Sequence, residues 1–111
     1  MLGKPAKEIK FMERHIEDDF LSLPNNHLIK KGIQRAIIKI KENVFVGENI
    51  RKELIPKEYI QKYSIDNLWW YPLPNAWRLV YSIATDKSEV LAVILEYFDH
   101  KNYAKRFGYK T

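Results

Sequence analysis

Two stretches carry the side chains able to do chemistry. The first is 67-NLWWYPLPNAWRLVYSI-83, where one arginine, Arg78, stands inside a run of apolar residues. A guanidinium is too costly to bury unpaired, so Arg78 belongs at an open face or against a carboxylate such as Asp66, Glu96 or Asp99. Held on a rigid strand, the same group can bind a phosphate in bidentate fashion. The second stretch is 97-YFDHKNYAKRFGYK-110, which packs His100, Lys101, Tyr103, Lys105 and Arg106 into a short span. Histidine moves protons near neutrality, tyrosine can donate one, and lysine or arginine can stabilise charge on a pentavalent phosphorane. These residues equally suit plain RNA binding, with rings on unpaired bases and cations on the backbone. A third reading is a solvated tail anchored to the core by Phe107 and Tyr109.

Other groups give less. His15 and His27 are isolated and read as surface or capping residues, and the adjacent Asp18 and Asp19 diverge on a helix, so they cannot converge on one substrate. No Gly-rich phosphate loop, HExxH or GxSxG motif occurs, and no cysteine is present, which leaves nucleotide binding, zinc proteolysis, serine hydrolysis and thiolate metal sites without support. No cofactor or metal is expected.

The elements that must position these residues follow from periodicity. EIKFM, residues 8–12, alternates as a short strand with Ile9 and either Phe11 or Met12 inward. From Glu13 the period changes, and Ile16, Phe20 and Leu23 define a short helix that Pro24 ends, with Asn25 or Asn26 offered as the next cap. A second helix carries Ile29, Ile33, Ile37 and Ile40 on one stripe, with Lys30, Lys31, Arg35 and Lys41 largely elsewhere, and Asn43 and Gly47 mark its end. Pro56 can open a further short helix, PKEYIQKY. Strands are expected over 68–73, 77–84 and 89–98, separated by the turns PLPNA and TDKS, and connections this short make them an antiparallel meander. On strand 77–84, Arg78 shares a face with Val80, Ser82 and Ala84, opposite Trp77, Leu79, Tyr81 and Ile83. Adjacent Trp69 and Trp70 likewise face opposite sides, so one of them must be partly exposed or covered by another segment. The expected fold is α+β: a short N-terminal strand, two or three helices packed on a small antiparallel sheet, and a C-terminal three-stranded meander whose second face is free to bind.

The 111 residues are the size of one domain, 1–111, with 46% hydrophobic and 30% charged residues, a globular balance. The N-terminus lacks the apolar core of a signal peptide, so the cytoplasm is the expected location. The net charge of +5 is uneven: residues 30–62 hold nine Lys/Arg against four Asp/Glu, 101–110 hold four and none, and 63–99 hold two against five. Two basic segments around a near-neutral middle would attract a polyanion or an acidic protein, although a solvated lysine-rich surface explains them as well.

IKFMERHIEDDFLSLP followed by a basic helix, then AWRLVYSI and the late DHKNYAKRFGY, resembles the RelE/ParE superfamily of type II toxins over nearly the whole chain. The resemblance implies a metal-independent endoribonuclease of the RelE branch that cleaves mRNA, typically on the ribosome, through attack of the 2′-hydroxyl. Arg78 matches the arginine that stabilises the scissile phosphate, and His100, Lys101 and Tyr103 lie where acid, base or charge stabiliser is drawn. Lys105, Arg106, Trp69 and Tyr71 are the candidates for RNA contact. RelE-type enzymes often carry two lysines before the arginine, and counting back from Arg78 puts Trp69 and Tyr71 there. The resemblance also implies a cognate antitoxin, for which an exposed Trp69/Tyr71 or Trp70 edge and helix 29–41 are contact surfaces. Alternatives are a non-catalytic RNA- or protein-binding module of the same fold and a ParE-like gyrase inhibitor.

Overall fold

The isoleucine stripe forms the most extensive helix of the computed structural model, which describes residues 3–108: α2, Leu28–Glu42, buries Ile29, Ile33, Ala36 and Ile40. Each fully buried isoleucine contributes about 1.5–3 kcal/mol, so this face docks α2 regardless of modest local propensities. Its cap is His27, whose Nδ1 accepts from the Ile29 amide at 3.1 Å, in place of the expected asparagines. Before it come strand β1, Glu8–Phe11, and helix α1, Arg14–Ser22. Lys30, assigned to the polar side by its type, is instead buried, because its Nζ reaches the carbonyls of Leu21 and Leu23 at 3.0 and 2.9 Å. A cation at the end of α1 satisfies carbonyls that the helix cannot, which offsets the cost of burying it.

After α2 run β2, Glu48–Ile50, a 3-10 turn at Lys52–Leu54, and helix α3, Lys57–Tyr63, preceded by Pro56. Strand β3, Leu68–Pro72, is followed by a 3-10 turn at Pro74–Ala76, strand β4, Arg78–Asp86, strand β5, Glu89–Phe98, and helix α4, His100–Arg106. The strands make one sheet in the order β1-β5-β4-β3-β2. The meander β3-β4-β5 is antiparallel as expected, but β1 runs parallel to β5, so the sheet is mixed. The fold is therefore α+β with a five-stranded mixed sheet. β2 was not anticipated; three residues with two polar ones give too little alternation to read.

The second face of the sheet is not free. Phe20, Ile33, Ile40, Leu79, Tyr81, Ala92 and Ile94 build a core under α1 and α2. A separate cluster of Ile50, Ile55, Tyr59, Leu68, Val80, Leu95, Phe98 and Tyr103 lies across the sheet under α3 and α4. The expectation of an open face overlooked that both strand parities are apolar, which requires cover on both sides. A register shift between Val80 and Tyr81 helps to fill the second cluster: Tyr81 pairs with Ile94 and Val80 with Glu96, leaving Leu95 extra on β5. The bulge changes the parity of the strand, so Val90, Ala92 and Ile94 serve the first core while Leu95 and Phe98 serve the second. Among the described residues no helix is long and apolar enough to cross a membrane.

Candidate anion-binding site around Arg78

Arg78 opens β4, paired with Pro72 on β3 and Phe98 on β5. Side chains two apart on a strand share a face, so Trp70 on β3 lies on the Arg78 side, and its ring centroid is 3.8 Å from the Arg78 Cζ. The second ring comes from α4. Asp99 caps that helix by accepting from the Asn102 amide at 2.8 Å. Tyr103 then packs edge-on against Phe98 with centroids 5.6 Å apart, and stacks with Phe107 at 4.3 Å. Its centroid is 4.5 Å from the Arg78 Cζ. Each such contact contributes about 0.5–2 kcal/mol, more where water is excluded.

Among the described residues the Arg78 side chain makes no ion pair and no hydrogen bond, and the three carboxylates that could have neutralised it are engaged elsewhere. Asp66 accepts from Asn67, Asp99 caps α4, and Glu96 takes the Tyr59 hydroxyl and Arg106. Ring contacts use none of the five N–H donors of a guanidinium. Arg78 is thus a half-buried, aromatically clamped cation with its donors unspent, the state in which an arginine can accept a phosphate or carboxylate.

The remaining sequence candidates separate around it. His100 is exposed and stands one turn before Tyr103, on the same side of α4 by helical spacing. Lys101 and Lys105 are exposed and two residues from Tyr103 in either direction, so they project away from the clamp and share another side of α4 at i,i+4. Arg106 points inward and is bound by Glu58 and Glu96 at 2.6 and 3.1 Å. Trp69 and Tyr71 are on the opposite face of the sheet, packed on the first core; Trp69 stacks with Tyr81 at 6.4 Å and contacts Phe45 at 5.6 Å. They cannot share a ligand with Arg78. Phe107 anchors to the second core as expected, and Tyr109 lies outside the described residues.

No known protein family, curated protein or solved structure matches the chain. What the site can do therefore rests on its own geometry. Sequence reading placed Trp70 only at an antitoxin-facing edge and missed its contact with Arg78, as it missed the Tyr59–Glu96–Arg106 group. The available signal for Trp70 was its parity with Pro72, the residue nearest to the turn before Arg78. Beside the clamp, a cavity of about 540 Å³ is lined by Glu58, Glu96, Tyr97, Phe98, Asn102, Lys105 and Arg106. Among the described residues no three His, Asp or Glu side chains converge as a metal-ligand set.

Proposed function

We propose that this chain is the toxin of a type II toxin–antitoxin pair, a RelE-type endoribonuclease acting without metal on mRNA in the cytoplasm, on the ribosome. The observation that carries the reading is Arg78: a cation fixed by Trp70 and Tyr103 with, among the described residues, no carboxylate to neutralise it. The opening order strand, two helices, with an antiparallel meander later in the chain after β2 and α3, supports it, since the RelE/ParE resemblance implies a short first strand and two helices before a small antiparallel sheet. In this reading Arg78 binds the non-bridging oxygens of the scissile phosphate. The 2′-oxygen attacks phosphorus, the bond to the 5′-oxygen breaks, and a 2′,3′-cyclic phosphate and a 5′-hydroxyl result. His100, the imidazole one turn from the clamp, takes part in the proton transfers, and Lys101 and Lys105 contact flanking phosphates.

The solvent side of α2 is the surface we assign to the antitoxin. Leu28 and Ile38 are 51% and 58% exposed there, with Lys31 and Arg35 between them on the same ridge, which suits an acidic amphipathic segment. A second reading, binding without cleavage, is favoured by one observation: the strand residues flanking Arg78 on its face are Trp70, Pro72 and Phe98, none of which titrates, and the carboxylate diagonal to it, Glu96, is engaged by Tyr59 and Arg106. Incubation of the protein with RNA in EDTA, with and without ribosomes, separates the two. Cleavage that falls at least about a hundredfold in Arg78→Ala and His100→Ala is the expected result. RNA that is bound but stays intact under both conditions would leave only the binding module.

A further inference from the structure

Tyr103 and Arg106 stand three residues apart on one side of α4, and each meets a partner on the sheet. Tyr103 lies on Arg78, and Arg106 on Glu96. Their partners are also neighbours: Arg78 pairs with Phe98 and Val80 with Glu96, so Arg78 and Glu96 are diagonal on adjacent strands of one face, roughly 7–8 Å apart. Helix and sheet are thus joined by two parallel contacts, one of which makes the clamp. α4 spans only His100–Arg106, far too short to hold its own position in water, so its seating is set by tertiary contacts.

We infer that Glu96 is a positioning residue for the Arg78 site: by holding Arg106 it seats α4 so that the Tyr103 ring closes on the guanidinium. The anion-binding role of Arg78 underlies the functional half of this inference; the structural half stands on geometry. Glu96 is suited to the task because its side chain is only 18% exposed and it is fixed from a second direction by the Tyr59 hydroxyl. Arg106 Nη2 donates to Glu96 Oε2 at 3.3 Å, and its Nε lies 3.1 Å from Oε1 but is not aligned as a hydrogen bond. The other partner of Arg106 is Glu58, closer at 2.6 Å but 57% exposed, where water and salt screen the pair. Distance alone would favour Glu58 as the anchor; burial and the rigid strand favour Glu96. In Glu96→Gln the Tyr59 hydroxyl keeps an acceptor, and Arg106, itself a third exposed, is freed toward solvent without being stranded.

The test reads the clamp and the binding separately. Side-chain NMR of Arg78 reports ring-current shifts from Trp70 and Tyr103, and a single-stranded 2′-O-methyl RNA oligonucleotide, which cannot be cleaved, reports affinity. Glu96→Gln and Arg106→Gln are expected to move the Arg78 resonances toward their unstacked positions and to weaken the oligonucleotide about tenfold. Glu58→Gln should change affinity by less than about twofold. Folded Glu96→Gln and Arg106→Gln proteins that keep the wild-type Arg78 resonances overturn the inference. If Glu96→Gln does not fold, Arg106→Gln, at the rim, decides it. Undiminished binding by Arg78→Ala defeats the anion-site reading, and the resonances alone then judge the role of Glu96.

Discussion

Arg78 is stabilised by π faces, which leaves its charge and donors for a ligand, whereas a carboxylate partner would have consumed both. Charge alone does not make this arrangement. A lysine ammonium is a strongly hydrated point charge that neither lies flat against rings nor presents a fork to a phosphate. Arg78→Lys is therefore expected to lose about tenfold in oligonucleotide affinity although the net charge is unchanged, while thermal stability falls by no more than about 1–2 kcal/mol from the lost ring contacts. Equal affinity of the two proteins in a titration at fixed salt would mean that the site responds to charge and not to geometry. The facing of Arg78 was legible from strand alternation, and the identity of its ring partner was not. Counting back along the chain put Trp69 and Tyr71 at the places where the resemblance has two lysines, but the register pairs Pro72 with Arg78, and a shift of one residue exchanges the faces of every side chain on a strand. Trp70, not Trp69, is what the geometry supplies.

The register is imposed by an element, the connection from β3 to β4. The Leu73 amide donates to the Trp77 carbonyl at 2.8 Å, and Asn75 and Ala76 both adopt left-handed backbone, with φ of 59° and 62°. Such φ values cost L-residues about 1–2 kcal/mol each, so neighbouring contacts must hold the turn closed. One of these is α2: a Cβ built on Gly32 would come within 2.4 Å of Pro74 Cδ. Gly32→Ala sets two effects against each other. Alanine gains about 1 kcal/mol of helix propensity, whereas a rigid ring that must be pushed aside costs about 1–3 kcal/mol and carries the turn with it. The second effect is expected to win. Chemical denaturation should show Gly32→Ala less stable by about 1 kcal/mol, and the Arg78 ring-current shifts should move, since β4 begins directly after the turn. A stabilised protein with unmoved Arg78 resonances would show that the turn holds its shape without α2. The turn itself was readable from PLPNA; its seat on α2 was not, because glycine inside a helical pattern does not say what approaches it. α4 went unread for a related reason: seven residues mixing charge with aromatics do not display a helical stripe until the sheet beneath them is known.

At the scale of the whole molecule, both faces of the sheet are apolar, and tyrosine hydroxyls lie at the margins of both cores. Burial first, and then the carboxylates of Glu96 and Glu13, raise the pKa of Tyr59 and Tyr63 respectively, while burial with the field of Asp19 raises Tyr97. Tyr81, whose hydroxyl donates to the Val44 carbonyl at 2.7 Å and accepts from the Gly47 amide at 3.0 Å, is pushed up to about 12 by burial. Each of these groups is protonated in the fold over a range where the unfolded chain has lost its proton. Their stabilisation is complete below the ordinary tyrosine value of 10.0 and is lost as pH rises through the raised folded values. The acid side is governed differently. Hydrogen bonds from Lys62 and Tyr63 hold Glu13 below its ordinary 4.5, so that contribution is present above 4.5 and lost as pH falls through the depressed value. That pair lies at the surface, where screening keeps it small. The expected profile is asymmetric: nearly flat from mild acid to about pH 10, then falling steeply. For Tyr81 alone, a shift from 10.0 to about 12 corresponds to about 3 kcal/mol across that interval. Tyr81→Phe should be less stable at neutral pH by about 1–2 kcal/mol, from the lost hydrogen bonds, yet decline less between pH 10 and 12. Denaturation midpoints measured across that range check both signs, and an alkaline slope as steep in Tyr81→Phe as in the wild type would place the alkaline sensitivity in Tyr59, Tyr63, Tyr97 and the Lys62–Glu13 pair instead.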